Sequence, residues 1–168
     1  MSIQEVIEGR DFEKAVQMAW SKAMMTGYAT SSLSTNVSGF PGSKRITVKV
    51  GMFLVTDTWH VTPMSTVSGG TTLISFEEIP VWMMHYFGFY SESAIPLLKQ
   101  ALYKNYKNRI FHGGRGPRYF GVDGSYWYEN LVGKGSSFKK FSGEEQIHDK
   151  GPRCIGYHRY HGGSMIGF

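Results

Sequence analysis

The chain has 168 residues, of which 41% are hydrophobic and 15% aromatic, enough for one domain to build a packed core without disulfide staples. Its single cysteine, Cys154, excludes an internal disulfide and indicates a reducing, cytoplasmic compartment. The first residues do not have the pattern of a secretory leader, so we expect none, and without a run of about 18 apolar residues we expect no membrane span. The net charge is +5 and the basic residues are scattered, which favours a solvated surface over a nucleic-acid site.

The first half of the chain begins with a predicted amphipathic helix over residues 11–25. Apolar side chains recur there three and four positions apart, from Phe12 to Ala23, and Gly27 marks the end of the helix. A loop is predicted over 28–43, followed by alternating segments at 45–50 and 52–57 that predict two strands or one bulged strand. After a second predicted loop over 62–70, residues 71–75 and 81–89 predict a hairpin.

The second half repeats this order. A helix is predicted over 93–107, with Pro96 in its first turn and an apolar face that runs from Leu97 to Tyr106. Strand patterns follow at 118–122 and 125–130, and residues 141–163 predict a closing hairpin that turns at 150–152.

The matching order of elements predicts an internal duplication. Residues 51–57 match 124–130, and 86–88 match 160–162 with one inserted residue. We therefore expect a single α+β domain over residues 1–168, built from two similar halves of about 11–90 and 91–166. Each half would supply a helix and about four strands to an antiparallel sheet with the helices packed on it. The concave face of the sheet or the seam between the halves is the expected ligand site.

Several motifs, taken together, resemble a known family. They are Gly51-x-Phe53-x-Val55-x-Asp57-x-Trp59, Pro80-Val81-Trp82-x-Met84-x-Tyr86-x-Gly88, Gly124-x-Tyr126-x-Tyr128-x-Asn130 and Phe141-x-Gly143-x-Glu145-x-Ile147. Over about residues 23–166 the chain resembles the uncharacterised domain found alone or C-terminal to the helix-turn-helix of bacterial XRE-type transcriptional regulators. The resemblance implies a stand-alone or regulator-linked domain, with a ligand sensor as one role.

The chain departs from the family pattern in two respects. One helix precedes the domain where the regulators have a helix-turn-helix, so we do not expect this chain to read DNA directly. The Gly-x-Glu of the second half is replaced in the first half by Gly70-Thr71-Thr72. A site that needs a carboxylate from both halves is therefore not expected.

Aromatic side chains lead to the first functional hypothesis, a small-molecule binding or sensor-like module with an aromatic-lined pocket between the halves. Arg115 and Glu145 would orient the ligand. The aromatic candidates, with one histidine, are Trp59, Trp82 and Tyr86 from the first half and Tyr128, Tyr160 and His161 from the second.

A second hypothesis is a small enzyme without a cofactor that uses Asp57, Glu145 or His161 for acid–base chemistry. The residues favour binding over catalysis. No nucleophile elbow Gly-x-Ser-x-Gly is present, and His158 and His161 alternate to opposite faces of a strand, so neither acyl transfer nor a metal site is expected.

A third hypothesis is a basic surface on the predicted helix 93–107. Lys99, Lys104 and Lys107 would bind nucleic acid or a protein partner there. Neither the identity of a ligand nor the oligomeric state follows from these residues.

Overall fold

The computed structural model describes residues 3–7, 9, 11–27, 34–113, 115–122 and 124–166, so residues 28–33 of the predicted loop lie outside the described residues. In the described part the chain forms three α-helices and nine β-strands. The helices are α1 (Ile3–Ile7), α2 (Phe12–Thr26) and α3 (Ile95–Lys107). The strands are β1 (Thr35–Asn36), β2 (Ser43–Val50), β3 (Phe53–Val61), β4 (Val67–Phe76), β5 (Ile79–Tyr90), β6 (Tyr119–Phe120), β7 (Trp127–Val132), β8 (Lys140–His148) and β9 (Cys154–Ser164).

The two long helices form at the predicted amphipathic segments. In α2 the apolar stripe from Phe12 to Ala23 is buried, and the backbone N–H of Gly27 donates to the carbonyl of Ala23 at 2.8 Å to close the last turn. In α3 the residues from Leu97 to Tyr106 that face the core are buried, while lysines occupy its last turn, where positive charge suits the helix dipole. No described helix reaches the length and apolar character that a membrane crossing requires.

All nine described strands form one sheet in the order β1-β2-β3-β4-β5-β9-β8-β7-β6, and every neighbouring pair is antiparallel. The α+β class and the antiparallel sheet with packed helices are thus confirmed. The strand order mirrors itself about the central pair β5–β9, since β2–β5 and β6–β9 are two four-stranded meanders. Tyr86 and Tyr160, which the proposed repeat matches to each other, are direct partners across this pair.

Equivalent hydrogen bonds also occur in the two halves. The hydroxyl of Tyr86 donates to Oδ1 of Asp57 at 2.9 Å, and the hydroxyl of Tyr160 donates to Oδ1 of Asn130 at 2.5 Å. These pairs occupy matching places in the proposed repeat. An internal duplication is therefore plausible, and it stays a prediction.

The structure differs from the predicted elements in several places. A short helix, α1, precedes the predicted one, and β1 lies inside the loop predicted over 28–43. The loop predicted over 62–70 is shorter, because β4 begins at Val67 and its two glycines, Gly69 and Gly70, pair with β3 on one side and β5 on the other. The strand predicted over 118–122 shortens to the two residues of β6, which pair with β7 at the sheet edge. For β4 and β6 the neighbouring strands, rather than local propensity, decide the extent of the strand.

The core between helices and sheet is rich in stacked aromatic rings. Trp82 is 1% exposed; its ring stacks on Phe138 at 5.1 Å and on Phe141 at 5.4 Å, and its Nε1 donates to the carbonyl of Phe138 at 2.9 Å. Phe111 packs edge-on against Trp82 of this stack, and Trp20 of α2 packs edge-on against Phe111. The opposite face of the sheet is open, and Phe87, which is 65% exposed, lies on it.

Candidate functional site

A cavity of about 230 Å³ lies between the helices and the central strands, where the two halves meet. Its walls come from α2, α3, β3, β4, β5 and β9 and from the segment after α3. The side chains that carry its chemistry are Asp57, Trp59, Tyr86, Tyr90, Arg115 and His158. A mostly apolar hollow with a few convergent polar groups is the usual form of a small-molecule site.

Arg115 reaches the cavity from a tight turn that follows α3. The chain reverses at Gly113, where φ is +60°, and the backbone N–H of Arg115 donates to the carbonyl of His112 at 3.1 Å. Asn130 of β7 holds this turn, because its Nδ2 donates to the same carbonyl at 2.8 Å. The adjacent Gly116 packs on α3, where a Cβ would come within 2.8 Å of the backbone of Ala101. The turn therefore has a defined position on the sheet.

The guanidinium of Arg115 is buried, with only 6% of the residue exposed. Its Nη1 lies 3.5 Å from Oε1 of Glu145, and its central carbon lies 4.9 Å from the ring centroid of Tyr86 and 5.7 Å from that of Tyr160. Burial lowers the pKa of Arg115, but the charge of Glu145 together with the nearby Tyr90, Tyr106 and Tyr128 outweighs burial, and the pKa is raised well above the usual value. The group is thus permanently charged, and its Nε and Nη2 have no hydrogen-bond partner.

Glu145 is fully buried and serves as the counter-ion of Arg115. Oε1 accepts a hydrogen bond from the hydroxyl of Tyr90, and Oε2 accepts one from the hydroxyl of Tyr128 at 2.6 Å. The oxygen of Tyr128 in turn accepts the backbone N–H of Gly116 at 3.0 Å. Burial, with the nearby charge of Glu145, raises the pKa of Tyr128 well above its usual value, so this hydroxyl stays protonated and keeps donating.

Asp57 is a second buried carboxyl, and it lines the cavity. Its Oδ1 accepts hydrogen bonds from the hydroxyls of Thr72 and Tyr86, both at 2.9 Å. Burial raises the pKa of Asp57, although these two hydrogen bonds and the charge of Arg115 act in the opposite direction. Asp57 therefore holds a proton at higher pH than an exposed aspartate does.

His158 completes the polar lining from β9. The residue is 3% exposed, and its ring stacks on that of Tyr86 with the centroids 5.7 Å apart. The ring of Tyr90 lies tilted against it with the centroids 4.2 Å apart. Burial, helped by the charge of Arg115, lowers the pKa of His158 to about 2, so the imidazole is neutral at neutral pH. Neither ring nitrogen has a hydrogen-bond partner.

The structure brings some of the predicted binding residues to the cavity. Asp57, Trp59, Tyr86 and Arg115 line it. Glu145 and Tyr128 hold Arg115 without lining the cavity, and Tyr160 lies against the guanidinium. These contacts link both halves through Arg115.

Two predicted residues are not brought there. Trp82 lies in the aromatic core, where its Nε1 is occupied by the carbonyl of Phe138. His161 is exposed on the open face, where its ring lies 5.5 Å from that of His85. For His161 the cause is the period-2 alternation of a strand, because the neighbours of an inward residue such as Tyr160 point outward.

Among the predicted acid–base groups, Asp57 is the one that lines the cavity. Across the described residues, no group of three or more His, Cys, Asp or Glu side chains is placed to hold a metal ion. The basic candidates on α3 lie elsewhere; Lys104 is 5.5 Å from the ring centroid of Tyr119.

Tyr90 and His158 are site residues that the sequence-based prediction missed. Both follow from alternation, since Tyr90 is four residues from Tyr86 on β5 and His158 is two from Tyr160 on β9. Pattern alone does not distinguish such inward residues from ordinary core residues.

The fold and the site together define the class: an α+β domain with one antiparallel sheet and a mostly apolar cavity beside a buried ion pair. The chain belongs to the family described as Domain of unknown function (DUF5680), whose family model matches residues 65–165. Arg115 and Glu145 lie inside the matched segment, whereas Asp57 and Trp59 precede it. No curated protein and no solved structure matches the chain significantly.

Proposed function

We propose that the chain is a sensor-like module that binds a small molecule in the cavity between its two halves. The observation that carries the proposal is the state of Arg115. Its charge is balanced by Glu145, yet Nε and Nη2 are buried without hydrogen-bond partners in a side chain that lines the cavity. Leaving a buried donor without a partner costs free energy, and a bound ligand that accepts from Arg115 would recover it.

The rest of the wall supports the same function. Trp59 and Tyr86 offer aromatic surface, and His158 adds two more ring nitrogens without partners. A purely structural ion pair does not require a cavity beside it. The resemblance to domains linked to helix-turn-helix regulators favours a sensing role, in which the bound state is communicated to a separate partner.

A second candidate function is catalysis by Asp57. The specific observation is that this carboxyl lines the cavity and that burial raises its pKa, as an aspartate acting in acid–base chemistry requires. Under this alternative, Asp57→Asn abolishes turnover of a bound compound while its affinity is retained. A binding module shows no turnover of any ligand that the cavity holds.

The third proposal, a nucleic-acid or protein partner at α3, is supported by charge alone. Lys104 and Lys107 lie in the last turn of that helix. Binding to nucleic acid at this surface has to weaken steeply with added salt, and the absence of binding at low salt removes this proposal.

A thermal-shift screen against a metabolite library tests the binding function. A ligand that binds only the folded state raises the melting temperature by mass action. The cavity variant is Trp59→Ala, and the matched control is Trp127→Ala, since Trp127 stacks on His148 at 4.1 Å away from the cavity. We expect shifts that Trp59→Ala removes and Trp127→Ala preserves. The proposal is refuted if no compound shifts the wild type, or if the two variants respond alike.

A further inference from the structure

The lining of the cavity also restricts what the ligand is. Resting on the proposed binding function, we infer that the ligand is a small, uncharged, planar ring that carries an amide-type edge, with a carbonyl acceptor directed at Arg115 and an N–H donor directed at Asp57. The class includes aromatic carboxamides and lactam-type heterocycles. Size, charge, hydrogen-bonding pattern and shape each point to it.

Size limits the ligand first. The cavity of about 230 Å³ is smaller than the roughly 300 Å³ from which drug-sized sites begin. At about 30 Å³ for each water molecule, it has room for a compound on the order of ten non-hydrogen atoms. A single substituted ring fits inside this space, whereas a nucleotide or a peptide would have to extend outside it.

Charge is the second restriction. Among the described residues that line the cavity, Asp57 is the one carboxylic acid and Arg115 is the one permanently charged base, while His158 is neutral. The charge of Arg115 is already balanced by Glu145, so an anionic ligand would add a negative charge without a counter-ion. A cationic ligand would lie beside a guanidinium that never loses its proton, and Asp57, whose pKa burial raises, is a weak counter-ion for it. An uncharged ligand avoids both costs.

The polar groups are arranged as a donor beside an acceptor. Arg115 supplies unpartnered N–H groups and Asp57 supplies carboxyl oxygen. Tyr86 bridges them, because its ring lies 4.9 Å from the guanidinium carbon and its hydroxyl donates to Asp57 at 2.9 Å. One amide group offers both complements, because its carbonyl accepts from an N–H such as those of Arg115 and its N–H donates to a carboxyl oxygen such as that of Asp57. The neutral ring of His158 adds a further donor and acceptor, which again suits an amide rather than an ion.

The walls favour a flat ligand. Trp59, Tyr86 and Tyr90 line the cavity as aromatic rings, and Met84 contributes a side chain that adapts to an aromatic edge. Stacking against such walls requires a planar ring, since a puckered ring of the same formula touches them at fewer points.

A matched series of probes tests each restriction. Benzamide, benzoate and benzamidinium share one planar ring and nearly one size, and near neutral pH they are uncharged, anionic and cationic. Cyclohexanecarboxamide keeps the amide and loses the planar ring. Dissociation constants measured by ligand-observed NMR on the full chain are expected to be at least tenfold lower for benzamide than for the other three.

Two variants assign the binding to the cavity. Trp59→Ala is expected to weaken benzamide at least tenfold and Trp127→Ala to leave it unchanged. Trp59 is only half-buried, and Trp59→Phe provides a milder second variant. Circular dichroism of each variant verifies that it is folded.

The outcomes separate the inference from the function on which it rests. If benzoate or benzamidinium binds best and Trp59→Ala weakens it, the uncharged class is overturned while the binding function stands. If none of the four probes binds, the inference is also overturned, and the library screen then decides the function. Benzamide binding that responds equally to both tryptophan variants overturns the assignment to this cavity.

Discussion

The buried ion pair makes a strong prediction for the variant Glu145→Gln. Gln has the shape of Glu, so the change removes the charge and leaves the packing nearly intact. It leaves Arg115 as an unpaired charge in the core and weakens the two tyrosine hydrogen bonds that Glu145 accepts. Removing one partner of a buried pair costs about 3 to 5 kcal/mol. Against a total stability of about 5 to 15 kcal/mol, this is a large fraction.

The neighbouring residue provides a matched control. Glu144 lies on the same strand, and its Oε2 is 3.5 Å from Nε of Arg159, the same separation as in the buried pair. Its side chain is 29% exposed and that of Arg159 is 76% exposed, so water screens the interaction. Glu144→Gln is therefore expected to cost about 0 to 1 kcal/mol. The two substitutions differ in burial and in little else.

Urea unfolding followed by tryptophan fluorescence measures both costs, with an unchanged m-value as the sign that the unfolding reaction is the same. Adding Arg115→Met to Glu145→Gln removes the unpaired charge, so the double variant is expected to regain part of the lost stability. If Glu145→Gln costs no more than Glu144→Gln, or if Arg115→Met recovers nothing, Glu145 is not a buried counter-ion and the assignment of Arg115 to the site is undone.

Three further predictions concern stability. Burial raises the pKa of Asp57, so the stability that its proton supplies is complete below the pKa in the unfolded chain, about 4, and is lost as pH rises through the pKa in the folded protein. Asp57→Asn should flatten this decline when the free energy of unfolding is measured from pH 4 upward. Gly88→Ala puts a Cβ within 1.9 Å of a carbonyl oxygen on β9 and should lower the free energy of unfolding by about 3 kcal/mol. The control is Gly151→Ala, whose nearest contact is at 3.6 Å and which should change the free energy of unfolding by less than about 0.5 kcal/mol in the same urea assay. Tyr128→Phe removes the 2.6 Å hydrogen bond to Glu145 and should lower the unfolding free energy by about 1.5 to 3 kcal/mol; a smaller loss would mean that this hydroxyl is not needed by the carboxylate.

The fold class was predictable because its signals are local. The apolar stripes of α2 and α3 recur at helical spacing, and most strands alternate within a few residues. The extension of β4 through Gly69 and Gly70 was not predictable, since glycine disfavours strands and only pairing with both neighbours holds these residues. The order of strands also depends on contacts far apart in the chain.

The candidate site was predictable in part. The sequence-based prediction included Asp57 and Arg115, and the structure brings both to one cavity. Trp82 was assigned to the correct face of β5, but it lies four residues from Tyr86, a displacement of about 13 Å along a strand, and it falls under the aromatic core instead. His161 lies next to the inward-pointing Tyr160 on β9, so the alternation of the strand would have excluded His161 from the cavity.

The asymmetry of the site follows from an exchange between equivalent positions. Asp57 pairs with Thr72 across β3 and β4, and Asn130 pairs with Glu145 across β7 and β8. Each half thus has one carboxylate and one neutral residue at these two positions, in opposite order. Arg115 pairs directly with the carboxylate of the second half, while the first half presents Asp57 to the cavity. Two meanders of mirrored strand order therefore carry an asymmetric distribution of charge. The second-half carboxylate holds the arginine, and the first-half carboxyl lines the cavity.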